Sequence, residues 1–200
     1  MTYAIVGFGA VGQALARAFA RKNIDVTVAS RRPPEALAPQ ARATGPRVIA
    51  KSLRDALEAD TIILAVPFEE HREVAKARPS WEGKTVIDAT NAFGVPPEEL
   101  GGLPSSAFVA KAFTGAKLVK GFNHLVAASL AADPLVEGGH RVVVLSSDDE
   151  DAITPVAALA KQLGFAPVKL GKLNEGGALV HARSRTWGQL IFQDFLKKEQ

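Results

Sequence analysis

Four residues, Tyr3-Ala4-Ile5-Val6, run directly into Gly7-Phe8-Gly9-Ala10-Val11-Gly12, and an alanine-rich stretch follows as far as Lys22. A buried strand that turns sharply through GxGxxG into a helix leaves few architectures open, because each glycine has its own steric task. Gly7 permits the tight turn, Gly9 lets a pyrophosphate approach the backbone, and Gly12 allows the helix to pack closely on the sheet. The helix start, expected at Ala10, presents unpaired N–H groups and the positive end of its dipole to phosphate oxygens. Gly7, Phe8, Gly9, Ala10, Val11 and Gly12 are therefore read as dinucleotide-binding residues. The flanking strand and helix lift the motif above a chance match.

The second strand, expected over 25–29 (Asp25-Val26-Thr27-Val28-Ala29), bears on which dinucleotide fits. A site for NAD places Asp or Glu at the end of this strand, where it accepts hydrogen bonds from the ribose 2′-hydroxyl. Here that end reads Ser30-Arg31-Arg32. A carboxylate repels a 2′-phosphate, whereas a hydroxyl and two guanidinium forks bind one through charge-assisted bonds. Asp25, the nearby acid, opens the strand and so lies at its wrong end. The cofactor is accordingly read as NADP(H), with Ser30, Arg31 and Arg32 on the 2′-phosphate.

Beyond this unit, Arg47-Val48-Ile49-Ala50, Thr61-Ile62-Ile63-Leu64-Ala65-Val66 and Thr85-Val86-Ile87-Asp88 are near-continuous apolar runs. Such runs suit strands buried on both faces of a parallel sheet. Helices are expected between them at 52–58 and 69–77, the first opened by Ser52-Leu53-Arg54-Asp55 as a capping box. After the punctuation of Pro96-Pro97 and Gly101-Gly102-Leu103-Pro104, strands are expected at 118–122, 141–145 and 166–170. Helices are expected at 151–163, stopped by Gly164, and at 177–197. The fold class is α/β: a Rossmann-type, doubly wound, mostly parallel sheet with a small C-terminal helical lobe. Residues 1–122 form the dinucleotide-binding core, and residues 123–200 complete the sheet and close with a helix, as one compact unit.

A hydrophobic share of 47% supports a sizeable core in 200 residues. Net charge is +3, from 24 basic and 21 acidic residues that are interspersed, and aromatics make up 6%, so nucleic acid is not an expected partner. The absence of cysteine excludes disulfides, thiol catalysis and thiolate-bound metals. No apolar run reaches the roughly 20 residues that span a bilayer, and a cytoplasmic protein without a membrane partner is expected.

Ligands in such sheets bind beyond the carboxyl ends of the strands. Val66 and Pro67 follow the fourth strand and suit a wall beside the nicotinamide. Thr90 and Asn91 follow the fifth and could bond a ribose or carboxamide. Gly121-Phe122-Asn123-His124 ends the next strand with an amide, an imidazole and an aromatic face, which makes Asn123 and His124 the candidate catalytic residues. His71, His124, His140 and His181 lack metal-binding spacing. Ser105 and Ser106 lack a nucleophile elbow, and Lys120 reads more readily as a solvated or salt-bridged lysine than as a general acid. No acid–base pair stands out. Hydride transfer between a nicotinamide and a flavin-like ring depends mainly on positioning, whereas ketone or imine reduction wants a placed proton donor.

Together these segments resemble the NADPH-dependent deazaflavin (coenzyme F420) reductases and related dinucleotide-binding NADP oxidoreductases. The residues that carry the resemblance are Ile5 to Gly12, Ser30-Arg31-Arg32, Ala65-Val66-Pro67, Val119-Lys120-Gly121-Phe122-Asn123 and Leu163-Gly164-Phe165-Ala166-Pro167. The same module is similar to the cytoplasmic part of membrane metalloreductases and to the N-terminal domain of pyrroline-carboxylate reductases. The resemblance implies an enzyme that moves hydride between NADPH and a small-molecule acceptor, a deazaflavin or FMN/FAD. It places residues 122–124 against the nicotinamide and acceptor rings. This chain departs from the family in having His124 where a threonine is frequent, and Pro33-Pro34-Glu35 where a further basic residue is usual. The alternatives are an imine- or hydroxyacid-type NADP dehydrogenase, for whose long helical domain too few residues follow the last strand, and a non-catalytic NADP(H) sensor. Trp187, Leu190, Ile191 and Phe195 recur at helical spacing in the closing segment, and an apolar face there implies a homodimer.

Overall fold

Up to Gly121, parallel strands deliver their loops to one edge of a sheet. The computed structural model describes residues 1–183 and 186–198. Strand β1 (Tyr3–Val6) leads into α1 (Ala10–Arg21), then β2 (Val26–Ala29), α2 (Pro34–Thr44), β3 (Val48–Ala50), α3 (Leu53–Ala56), β4 (Thr61–Leu64), α4 (His71–Lys76) and β5 (Thr85–Asp88). The chain continues through α5 (Ser105–Ala112), β6 (Lys117–Gly121), α6 (Ala127–Ala131), β7 (Leu135–Val136), β8 (Gly139–Ser146), α7 (Glu150–Gln162) and β9 (Ala166–Lys169). It ends with α8 (Gly176–Leu179), β10 (Ala182–Arg183), β11 (Thr186–Trp187) and β12 (Leu196–Lys198). Six strands pair in parallel in the order β3-β2-β1-β4-β5-β6. This is the doubly wound order that reverses at β1 and opens a crevice there. Past β6 the direction changes: β8 and β12 each pair antiparallel, while β9 runs parallel to β8.

Alternation along the strands feeds two cores. Ile5, Ile63, Ile87 and Val119 join Leu15 and Phe19 of α1 and Val156 and Leu159 of α7 on one face. Val6, Ile62, Leu64, Val86 and Leu118 join Val74 of α4 and Val109 of α5 on the other. There Trp81 and Phe113 meet edge to face with centroids 4.5 Å apart. The first core draws on residues from Ile5 to Phe165, so the extension is not a separate body. Local signals hold where the sequence was explicit. Ser52 accepts from the Asp55 N–H at 3.1 Å and donates to its carboxylate at 2.6 Å. Gly164, at φ +95°, ends the helical path of α7 as expected, while α7 starts one residue earlier than expected, at Glu150, with Asp149 as a cap the sequence reading did not name.

The helix expected over 177–197 does not form, and the C-terminal lobe is not helical. Among the described residues of this stretch only α8 is helical; the β10–β11 pair and then β12 follow. Ser184 and Arg185, inside the expected helix, lie outside the described residues. The physical reason is the unpaired edge of β8. Leu196–Lys198 satisfies it opposite Gly139–Arg141, and the Val142 N–H reaches the Phe195 carbonyl at 2.8 Å. Pairing an exposed strand edge outweighs a helical spacing of apolar residues. Ile191 is buried while Trp187 and Phe195 are exposed, so the helical face from which a homodimer was inferred is absent. Helices α2, α5 and α6 also go beyond the sequence reading; prolines at Pro33, Pro34 and Pro104 mark the starts of the first two but read equally as loop.

Candidate functional site

The loops after β1, β2 and β4 converge at the crevice. The Gly7 N–H donates to the Ala29 carbonyl, and the Ala65 N–H to that of Val6, both at 2.8 Å. They enclose a cleft of about 350 Å³ lined by Gly7, Phe8, Gly9, Ser30, Arg31, Arg32, Val66 and Pro67, with Leu53, Glu70 and Val74 on its wall. A Cβ on Gly7, at φ +99°, would lie 2.3 Å from the Ala65 carbonyl oxygen, and one on Gly12 only 1.9 Å from that of Gly7. At Gly9 a Cβ would meet nothing within 4 Å. Two glycines thus allow close packing, and the third leaves the backbone open to the cleft, as a diphosphate requires. Ala10, Val11 and Gly12 form the first turn of α1, whose N-cap Gly9 offers no side-chain acceptor to the free N–H groups.

At the tip of β2, Ser30 Oγ accepts the Arg32 N–H at 3.0 Å, which leaves its own proton to donate. Arg31 is 85% exposed, with Nη2 3.0 Å from Glu70 Oε1. Glu70 escaped the sequence reading, because an acid 39 positions away along the chain becomes a neighbour only through the adjacency of the β2 and β4 loops. Its place just beyond Pro67 was the available signal.

Thr90 and Asn91 do not line this cleft. The Thr90 N–H and Oγ1 both donate to Asp88 Oδ1, at 2.9 and 2.7 Å, and Thr90 is buried. Lys120, also buried, donates to Asp88 Oδ2 at 3.1 Å and to the Thr90 carbonyl. Burial pulls the ammonium pKa down, and the Asp88 carboxylate opposes it. Lys120 is thus salt-bridged. Asn91 and Asn123 clasp each other across the ends of β5 and β6. Asn91 Nδ2 donates to the Asn123 carbonyl at 2.9 Å, and Asn123 Nδ2 to Asn91 Oδ1 at 3.0 Å and to the Val180 carbonyl at 2.6 Å. His124 is fully buried with neither ring nitrogen bonded. Burial lowers its pKa to about 4 against the opposing Val142 backbone and Asp194 carboxylate.

Next to the Asn91–Asn123 pair stand three exposed aromatics, of which the sequence reading singled out Trp187 alone, as part of a dimer face. Phe93 lies two residues beyond Asn91, and the Phe192 N–H donates to the His124 carbonyl at 2.7 Å. The Phe93, Trp187 and Phe192 centroids are 5.5–6.3 Å apart. Among the described residues, no helix is long and apolar enough to cross a membrane.

A parallel sheet whose crossover point opens on a glycine turn and an arginine-bearing loop defines a dinucleotide-binding protein of the Rossmann type. The family described as "NADP oxidoreductase coenzyme F420-dependent" matches residues 2–92. A hypothetical protein, SMa0349, from Sinorhizobium meliloti is 41% identical with a TM-score of 0.90, over 99% of this chain and 96% of that one. A candidate F420-dependent NADP reductase from Arthrobacter sp. FB24 is 27% identical with a TM-score of 0.72, over 86% of each chain. The metalloreductase STEAP3 of Rattus norvegicus is 28% identical over 174 residues, which are 84% of this chain and 33% of that protein. The chain thus spans about a third of the length of the curated relatives it matches.

Proposed function

We propose that the chain binds NADP(H) in the crevice and serves the transfer of hydride from NADPH to a planar acceptor of the flavin type, a deazaflavin or flavin. One observation carries this reading: the arginine-bearing cleft adjoins strand ends that offer fixed amides and exposed aromatic faces rather than an accessible acid–base pair. The Gly7–Gly12 turn would hold the pyrophosphate, Ser30, Arg31 and Arg32 the 2′-phosphate, and Val66 and Pro67 the wall toward the nicotinamide. Bound NADPH supplies the hydride. Asn91 and Asn123, each held by the other, keep the floor beside the rings rigid. Phe93, Trp187 and Phe192 offer faces on which a planar acceptor stacks. Such a reaction gains most from orientation. An imine or ketone would want a proton donor in reach, yet Lys120 is tied to Asp88 and His124 is sealed.

Anaerobic stopped-flow of NADPH oxidation against flavin, deazaflavin, quinone, ferric and imine acceptors tests the reading. Rapid oxidation with a flavin or deazaflavin is expected. NADPH left unconsumed by every acceptor, or consumed with an imine alone, refutes it.

A further inference from the structure

A second cavity, of about 420 Å³, lies between the loop 102–104 and the β10–β11 pair, and the dinucleotide cleft shares none of its lining. Leu103, Pro104, Asn174, His181, Arg183 and Trp187 line it, and no carboxylate stands among its described lining residues. Two of these side chains carry buried nitrogens without a partner: His181 Nε2 and Arg183 Nη1. His181 is 8% exposed, with Nδ1 3.3 Å from Ser105 Oγ. Arg183 Nε donates to Thr186 Oγ1 at 2.6 Å. Buried donors left unbonded are unfavourable, and a permanently charged one especially so, unless an acceptor completes them.

The backbone around these groups is fixed before any ligand arrives. Arg183 pairs with Ala92 in a parallel bridge, and the Gly188 N–H donates to the His181 carbonyl at 2.6 Å. A Cβ on Gly188 would lie 2.3 Å from the Leu179 carbonyl oxygen, so the backbone next to Trp187 packs closely on the end of α8. The field in the cavity is positive. Burial first, then the Lys120 and Arg183 charges, push the His181 pKa down to about 4 against the pull of Asp88. The ring is therefore neutral at pH 7, and in the tautomer in which Ser105 Oγ donates to Nδ1 its single proton sits on Nε2, where it can donate to a ligand.

We propose that this cavity is an anion-binding site that takes a carboxylate or phosphate group between Arg183 and His181. The anion has two possible sources. Trp187 belongs both to this cavity and to the exposed aromatic cluster, so an acidic arm of the planar acceptor would enter here; that source rests on the function proposed above. The other is a free inorganic anion.

The test uses the whole chain saturated with NADP⁺, which keeps the dinucleotide cleft from taking the probe. Inorganic phosphate is titrated by calorimetry and by the ring resonances of His181. Binding that shifts the His181 resonances, and that weakens at least about tenfold in Arg183→Gln, is expected. His181→Gln serves as a second variant, and NADP⁺ binding reports that each variant is folded. Absent binding, unmoved His181 resonances, or equal affinity in folded Arg183→Gln overturns the proposal. A second arm compares FMN with lumiflavin, which lacks the phosphate. A KM for FMN that rises about tenfold relative to that for lumiflavin in Arg183→Gln assigns the site to the acceptor's arm; an unchanged ratio with phosphate binding lost assigns it to a free anion. If neither flavin is reduced, the phosphate titration alone decides the pocket, and the hydride-transfer reading is decided by the full acceptor panel.

Discussion

His124 makes the stability of this fold depend on pH in a way that can be worked through from its surroundings. The ring is fully buried, unbonded at both nitrogens, and titrates near 4 rather than 6.5. Because the folded-state pKa is depressed, the unfolded chain binds the proton more readily. The stabilisation is therefore complete above pH 6.5 and is lost as pH falls toward 4. The linkage relation gives a loss of roughly 2–3 kcal/mol at pH 4.5 from this residue alone. His124→Leu fills a similar volume, leaves the backbone bond to Phe192 intact, and removes the titration. Urea unfolding of both proteins at pH 7 and 4.5 should show the variant gaining on the wild type by roughly 2–3 kcal/mol at the lower pH. Carboxylates elsewhere act alike in both proteins and cancel. A ring that titrates near 6.5 by NMR, or a stability difference that does not change with pH, would refute the reasoning.

Other expectations concern the cleft and its floor. Arg31→Ala should weaken NADPH roughly tenfold or more, at about 1.5–3 kcal/mol for a charge-assisted bond, while NADH affinity barely changes by calorimetry. Glu70→Gln should do the reverse, tightening NADPH, because the ion pair at 3.0 Å no longer competes for Arg31; unaltered affinity would mean the pair is not in play. Gly12→Ala drives a methyl onto the Gly7 carbonyl and should abolish NADPH binding with a clear drop in Tm. Asn123→Ala removes the bonds to Asn91 and Val180 and should slow reduction of a flavin acceptor while NADPH affinity stays nearly intact.

How much could be read without coordinates follows from how local each signal is. The Gly7–Gly12 turn, the Ser30-Arg31-Arg32 tip and the buried runs of β1, β4 and β5 are properties of contiguous residues, so the chain spells out a parallel sheet with a phosphate turn at its crossover. The Asp55 capping box and the Gly164 stop are equally local. The C-terminal segment was misread for the opposite reason. Its helical spacing is a weak preference, and the free edge of β8, made by residues some 55 positions earlier, overrides it. Glu70 beside Arg31, Asn91 against Asn123, and His181 beside Ser105 are likewise pairs made only when distant loops meet. Residue types and their order along the chain determined the sheet and the cofactor turn, because those depend on backbone conformation and side-chain periodicity over a few residues. Which donors end up paired, which are left bare in a cavity, and which histidine is sealed from water were decided by packing between segments, since burial and partnership are properties of the assembled volume.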